Sequence, residues 1–230
     1  MLVSRVARGI KWREAGENAG FPPLLASKEK KAGITGILGR DGHQPQPLRE
    51  ERSKMTSLHV VLMGVSGSGK TTLARKMAER TGWELLEADD LHPETDMEIL
   101  QGGKLPDEEK RGAWLANVRD WMTARAHEGK NTVVACTALR KEHRTVLNEA
   151  DGVVFYVHPY GTEDVLADRM RRRVGEDMPR ALLDEQLAIL RRLEADERGI
   201  QLDIDRPVDD LLEDALAAAH FAHRAYSEEA

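Results

Sequence analysis

A glycine-rich loop set between an apolar run and a helix constrains this chain more than any other feature. Residues 59–63 are a short, mostly apolar run, residues 64–72 read Gly64-Val65-Ser66-Gly67-Ser68-Gly69-Lys70-Thr71-Thr72, and residues 71–81 have helical character. Gly64, Gly69, Lys70 and Thr71 satisfy the spacing G-x-x-x-x-G-K-[ST]. Glycine lets the backbone curl until successive N–H groups point inward at phosphate oxygens, and the helix that follows adds its positive N-terminal end. In such a loop the lysine bridges the β- and γ-phosphates and the hydroxyl after it ligates magnesium, so ATP and Mg2+ are the expected ligands, with Lys70 and Thr71 in those roles. An ordinary glycine turn would not need a strand before it and a helix after it.

Beyond the loop, apolar runs alternate with amphipathic ones, the pattern of a parallel sheet covered by helices on both faces. Strands are expected at residues 59–63, 83–88, 132–136, 153–158 and 200–204. Helices are expected at 71–81, 107–127, 141–148, 162–173, 180–193 and 207–226. Five strands with helical crossovers make one doubly wound α/β domain. Trp114, Leu115, Val118 and Trp121 lie at helical spacing and are expected in the core.

Composition narrows the partners. The net charge is −6 over 230 residues, but residues 1–54 hold eleven Lys/Arg against six Asp/Glu, so the remainder carries −6 − 5 = −11. An acidic body is not suited to binding nucleic acid. Residues 1–54 are rich in Gly, Pro and Gln and poor in apolar periodicity, and are expected to be a disordered or non-native extension, with the folded domain spanning residues 55–230. No run of 18 uncharged apolar residues could cross a membrane, and the single cysteine, Cys136, cannot form an internal bridge. A reduced cytoplasmic setting follows as the expectation. Cys136 is read as a small core residue.

Carboxylates cluster after the second strand, where open α/β sheets bind ligands. Glu87, Asp89 and Asp90 are candidates to orient an acceptor hydroxyl or a magnesium water. An extended chain there would set Glu87 and Asp89 on one face and Asp90 on the other. His92 follows in a turn as a possible substrate contact. For an anionic acceptor the basic candidates are Arg140, Lys141 and Arg144. Among Arg169, Arg171, Arg172 and Arg173, helical spacing groups Arg169 with Arg173 and turns the other two to solvent.

The string Val61-Leu62-Met63-Gly64-Val65-Ser66-Gly67-Ser68-Gly69-Lys70-Thr71 with Asp89-Asp90-Leu91-His92-Pro93 resembles the gluconokinases, small P-loop kinases related to shikimate kinases. Val134-Ala135-Cys136-Thr137-Ala138-Leu139-Arg140-Lys141, Leu182-Leu183-Asp184-Glu185-Gln186-Leu187 and Asp203-Ile204-Asp205-Arg206-Pro207 extend the resemblance over about residues 57–220. It implies the P-loop kinase fold with a small lid around residues 165–178, and ATP-dependent phosphorylation of D-gluconate to 6-phospho-D-gluconate. It also implies Asp89 at the acceptor hydroxyl, Glu87 assisting magnesium, Arg169 and Arg173 on the phosphates, and Thr137 in the turn at the substrate pocket. A homodimer is implied as well. Where the family usually reads Gly-His-Phe-Met, this chain reads Gly175-Glu176-Asp177-Met178. That departure leaves open a kinase acting on another polyol or sugar acid, and a non-catalytic nucleotide-binding regulator would also retain the loop.

Overall fold

Every strand of the central sheet is parallel, in the order β2-β3-β1-β4-β5. The structure is a computed structural model, and it describes residues 56–172 and 179–227. The strands are β1 (Leu58–Leu62), β2 (Glu84–Glu87), β3 (Thr132–Ala135), β4 (Val153–Tyr160) and β5 (Gly199–Asp203). The helices are α1 (Lys70–Thr81), α2 (Glu94–Gln101), α3 (Glu108–His127), α4 (Lys141–Leu147), α5 (Glu163–Arg171), α6 (Arg180–Ile189) and α7 (Val208–Tyr226). From β1 the chain moves outward on one side to β3 and β2 and on the other to β4 and β5. The crevice beyond the carboxyl end of β1 is therefore the switch point at which such sheets take ligands.

Alternation within the strands explains why they read as continuous apolar runs. Leu58, Val60 and Leu62 of β1 join Val153, Phe155 and Val157 of β4 in one core, which Leu73 and Met77 of α1 and Leu211 and Ala215 of α7 complete. Val61 and Met63 face the other way with Val154 and Tyr156, against Trp114, Leu115, Val118 and Met122 of α3. Both faces are covered, so neither tolerates a polar residue without a partner. His59 meets that condition: Nε2 pairs with the Asp151 carbonyl at 2.9 Å and Nδ1 with the Thr132 hydroxyl at 2.8 Å. Burial pushes its pKa down. Of the two tryptophans expected in the core, Trp114 is fully buried, whereas Trp121 is partly exposed under the Arg125 guanidinium, 4.9 Å from its ring centre.

The expected strands and the long helices are present, and the differences are local. Strand β2 ends at Glu87, and Ala88–Leu91 form a single 3-10 turn. Asp89 and Asp90 thus lie in a tight turn, and the two-face alternation of an extended chain does not apply to them. Helix α2 was not expected from the sequence. Helix α6 stops at Ile189, short of the expected residue 193, because Leu190 is extended (φ −59, ψ 126) and the Arg191 N–H donates to the Leu139 carbonyl at 2.8 Å. The leading residues expected to form an extension lie outside the described residues. Among the described residues no helix is long and apolar enough to cross a membrane.

Arg144 is corrected from a surface or substrate candidate to a structural one. Its side chain has no exposure, and its Nη2 donates to Glu197 Oε2 at 2.8 Å while Nη1 donates to the Arg191 carbonyl at 3.1 Å. The pair fastens the segment after α6 to α4. Tyr156, whose hydroxyl donates to the Arg144 carbonyl at 2.9 Å, closes the cluster against the sheet. Glu197→Ala leaves a buried guanidinium without its carboxylate and is expected to cost about 3 to 5 kcal/mol in urea unfolding. Replacing both partners by leucine is expected to cost less than that single change. A loss below about 1 kcal/mol for Glu197→Ala would show that the pair does not hold this segment.

Candidate active site

The phosphate loop is shaped by what crowds it. Gly67 has φ +78, and a Cβ there would lie 2.8 Å from the Leu166 carbonyl of α5, a distance no side chain sustains. Gly64, at φ +126, packs over His158 of β4, whose Cδ2 would be 3.0 Å from an added Cβ. The loop is therefore pressed between α5 above and β4 below, and it opens α1, whose first-turn N–H groups are its phosphate donors. Lys70 Nζ donates to the Val65 carbonyl at 2.8 Å, folding the ammonium over the loop. Ser68 is buried, and its hydroxyl has no hydrogen-bond partner among the described residues.

Thr71 Oγ1 donates to Glu87 Oε2 at 2.9 Å, joining the start of α1 to the end of β2. The other carboxylate oxygen, Glu87 Oε1, is buried without a hydrogen bond, and Arg75 Nε stands 3.5 Å from it. A hydroxyl and a carboxylate oxygen that accepts no hydrogen bond among the described residues are hard donors of the kind magnesium takes. Among the described residues no cluster of three or more His, Cys, Asp or Glu could hold a metal alone, so a cation here would complete its shell with phosphate and water. From the lid side Arg169 approaches the loop: its Nη2 donates to the Ile204 carbonyl at 2.7 Å, and its Nη1 is 3.6 Å from where a Gly69 Cβ would sit. Arg171 and Arg172 turn outward to Asp168 on the exposed face. Arg173, Glu176 and Asp177 lie outside the described residues.

The turn after β2 is organised by Trp114. Its Nε1 donates to the Ala88 carbonyl at 2.7 Å, and its ring stacks on His92 with centroids 4.1 Å apart and planes 10° from parallel. One indole thus holds both ends of the 3-10 turn that carries Asp89. The His92 side chain is buried against that ring, with Nδ1 3.9 Å from Asp96, and burial outweighs the pull of Asp89 to lower its pKa. Asp89 itself is exposed on the turn.

Arg111, on the same face of α3, was not singled out from the sequence. It is 2% exposed, lies 5.8 Å from the Trp114 ring centre, and makes one long hydrogen bond, to the Thr137 carbonyl at 3.4 Å. Among the described residues it has no carboxylate within ion-pair distance. The only sequence signal was its place one turn before Trp114. Arg140 precedes α4, with Nη2 3.5 Å from Glu108 Oε1. His143 Nδ1 accepts from the Arg140 N–H at 3.2 Å, which leaves the proton on Nε2, 3.3 Å from Glu108 Oε2. Lys141 turns to the surface instead, to Glu194 at 2.8 Å and Asp196 at 2.9 Å, which raise its pKa.

Cys136, at the end of β3, marks where these groups meet. Its thiol is pushed up to about 12, chiefly by burial and next by the Asp89 charge, while Arg111 and Lys70 pull the other way. A thiol so protonated is no nucleophile. The Asp89, Arg111 and Lys70 charges are thus all felt at the residue that follows β3.

A family model described as an AAA domain matches residues 60–193. The chain is 38% identical over 157 residues to a gluconokinase of Gluconobacter oxydans (strain 621H), covering 68% of this chain and 88% of that protein. The crystal structure of a sugar kinase from Janibacter sp. HTCC2649 superposes with a TM-score of 0.69 at 43% identity, covering 73% of this chain and 97% of that one. A gluconokinase from Sinorhizobium meliloti 1021 does so with a TM-score of 0.66 at 32% identity, covering 76% and 99%.

His158 generates a pH prediction. Burial, then the nearby Arg192 guanidinium, lowers its pKa from 6.5 to about 4. Between those values the unfolded chain binds a proton that the folded chain refuses, so stability rises as pH climbs through this window and levels off above it, by about 3 kcal/mol. Unfolding free energies taken from pH 4 to 7 should show that slope, and His158→Asn should reduce it by up to about one proton. An unchanged slope would place the acid sensitivity elsewhere.

Proposed function

The chain belongs to the gluconokinase family of P-loop kinases, and from that premise we propose that it transfers the γ-phosphoryl group of ATP to the 6-hydroxyl of D-gluconate, releasing ADP and 6-phospho-D-gluconate. The observation that carries the acceptor assignment is Arg111. A buried guanidinium with no carboxylate at ion-pair distance among the described residues, and within electrostatic reach of Asp89, is the recognition element an anionic polyol needs.

The proposed roles follow from position and chemistry. Backbone N–H groups of the loop from Gly64 to Thr72, except that of Ser66, which Gln186 already holds, and the Lys70 ammonium cradle the phosphates, with Arg169 and Arg173 adding charge from the lid. Asp89 accepts the proton of the attacking hydroxyl as its oxygen bonds to the γ-phosphorus and the bond to the β–γ bridging oxygen breaks. Thr71 and Glu87 would hold magnesium, which when bound neutralises phosphate charge. Arg111 pairs with the substrate carboxylate, and His92, Thr137 and Arg140 line the same turn-and-strand edge. Lys141 is the least supported of the proposed substrate contacts, being already engaged by Glu194 and Asp196. The proposal includes a homodimer in a cytoplasmic setting, without nucleic-acid or membrane partners, and light scattering tests the first of these. It also confines catalysis to residues 55–230.

Purified protein with ATP and magnesium should release ADP in proportion to gluconate. Asp89→Asn should lower kcat at least 100-fold while keeping ATP binding. Arg111→Met should raise the KM for gluconate by tenfold or more, about 1.5 to 3 kcal/mol for a lost charged hydrogen bond, and leave the KM for ATP in place. ADP release driven by another polyol and not by gluconate would refute the acceptor assignment. Deleting residues 1–54 should leave kcat within about twofold, and a larger loss would assign that segment a catalytic part.

A further inference from the structure

Two adjacent side chains of α6 reach opposite sides of the site. Gln186, 2% exposed, accepts a hydrogen bond from the Ser66 N–H at 2.6 Å through Oε1. Glu185 Oε2 accepts one from the Leu105 N–H at 2.8 Å. Ser66 is the third residue of the phosphate loop, ahead of the Gly67-to-Thr71 donors that lead into α1, so its bond to Gln186 leaves those donors for phosphate. Leu105 lies in the segment that enters α3, whose first turns carry Glu108 and Arg111. One turn of α6 therefore touches the nucleotide half of the site with one residue and the acceptor half with the next.

The choice of glutamine has a physical reason. The other buried residues of α6 are Leu182 and Leu183, with Leu187 and Ile189 packed beside them, and a further leucine would pack there at no cost in polar desolvation. An amide repays its burial only by a hydrogen bond, which Ser66 supplies. A carboxylate would accept the same N–H but would set a negative charge against the incoming phosphates. Glutamine accepts without that charge.

We infer that Gln186 is a positioning residue for phosphoryl transfer: it fixes the Ser66 peptide and, with Glu185 holding Leu105, sets the separation between the phosphate loop and the acceptor pocket. In-line transfer is sensitive to this separation, since a misplacement of about 1 Å costs on the order of 100-fold in rate. The inference rests on the proposed kinase reaction for its consequence but on the Ser66 contact for its cause.

The test uses the full chain with Gln186→Leu and Gln186→Glu, reading steady-state kinetics, affinity for a non-hydrolysable ATP analogue, melting temperature, and amide hydrogen exchange in the peptide spanning residues 60–70. Gln186→Leu is expected to speed exchange at Ser66 and to lower kcat tenfold or more, with analogue affinity within about threefold of the parent. Gln186→Glu is expected to keep the exchange protection, because an acceptor remains, yet to bind the analogue at least tenfold more weakly. A residue that only filled the core would not separate these readouts. Unchanged exchange and kcat in Gln186→Leu, or a parallel fall of kcat, affinity and melting temperature in both variants, would overturn the inference. If the parent enzyme does not turn over gluconate, the acceptor assignment fails by itself, and exchange and analogue binding still decide the role of Gln186.

Discussion

The Leu166 carbonyl stands 2.8 Å from where a Gly67 side chain would begin, and much of the site follows from that contact. Closeness of this kind is possible only for a residue without a Cβ and in the left-handed region, where glycine has no steric penalty. It lets α5 lie directly on the phosphate loop, so that Arg169 from the same helix reaches both the loop and the Ile204 carbonyl after β5. Three elements distant in sequence converge because one loop has nothing projecting from it. Below the loop, neutral His158 fills the remaining space, and its low pKa keeps a further positive charge from forming there at ordinary pH.

The turn that carries Asp89 is built on another principle. It has no glycine loop of its own, and its shape is imposed by a side chain from the next long helix. Trp114 anchors the start of the 3-10 turn by a hydrogen bond and its end by stacking on His92. Asp89, exposed and lying between those two anchors, takes its orientation from them. A large buried aromatic with one polar atom suits the task, since the ring supplies packing and the indole N–H satisfies a carbonyl that would otherwise be buried alone.

This difference explains what could be read from the chain. The phosphate loop, the five strands and the helices that cover them were legible because each is encoded within a few neighbouring residues, by glycine spacing or by apolar periodicity. The 3-10 turn at Ala88–Leu91 was not, because the Trp114 bond that anchors it spans 26 positions, and Glu87 and Asp89 read as alternating strand residues in its absence. Short α2 gives too few turns for a periodic signal. Lys141 and Arg144 looked alike as basic residues after a central strand, but Glu194 and Asp196 hold one at the surface while Glu197 holds the other inside. Those partners come from a segment whose path is set only when α6 stops early. Nothing in the residues around Arg111 marks it on its long helix, and only its burial distinguishes it.

Arg144 and Arg111 are 0% and 2% exposed, and each lies under the same face of the sheet, so burial alone does not separate structure from function. Their surroundings do. Arg144 has a carboxylate and several carbonyls, a set that balances its charge inside the protein. Arg111 has one long bond to a carbonyl, the Trp114 ring 5.8 Å away and the charges of Asp89 and Glu108 at a distance. Removing a guanidinium from water without a close counter-charge is costly. A fold keeps such a group where something that arrives later completes it, and at this position an anionic acceptor would meet that group beside Asp89 and close to the phosphates of ATP.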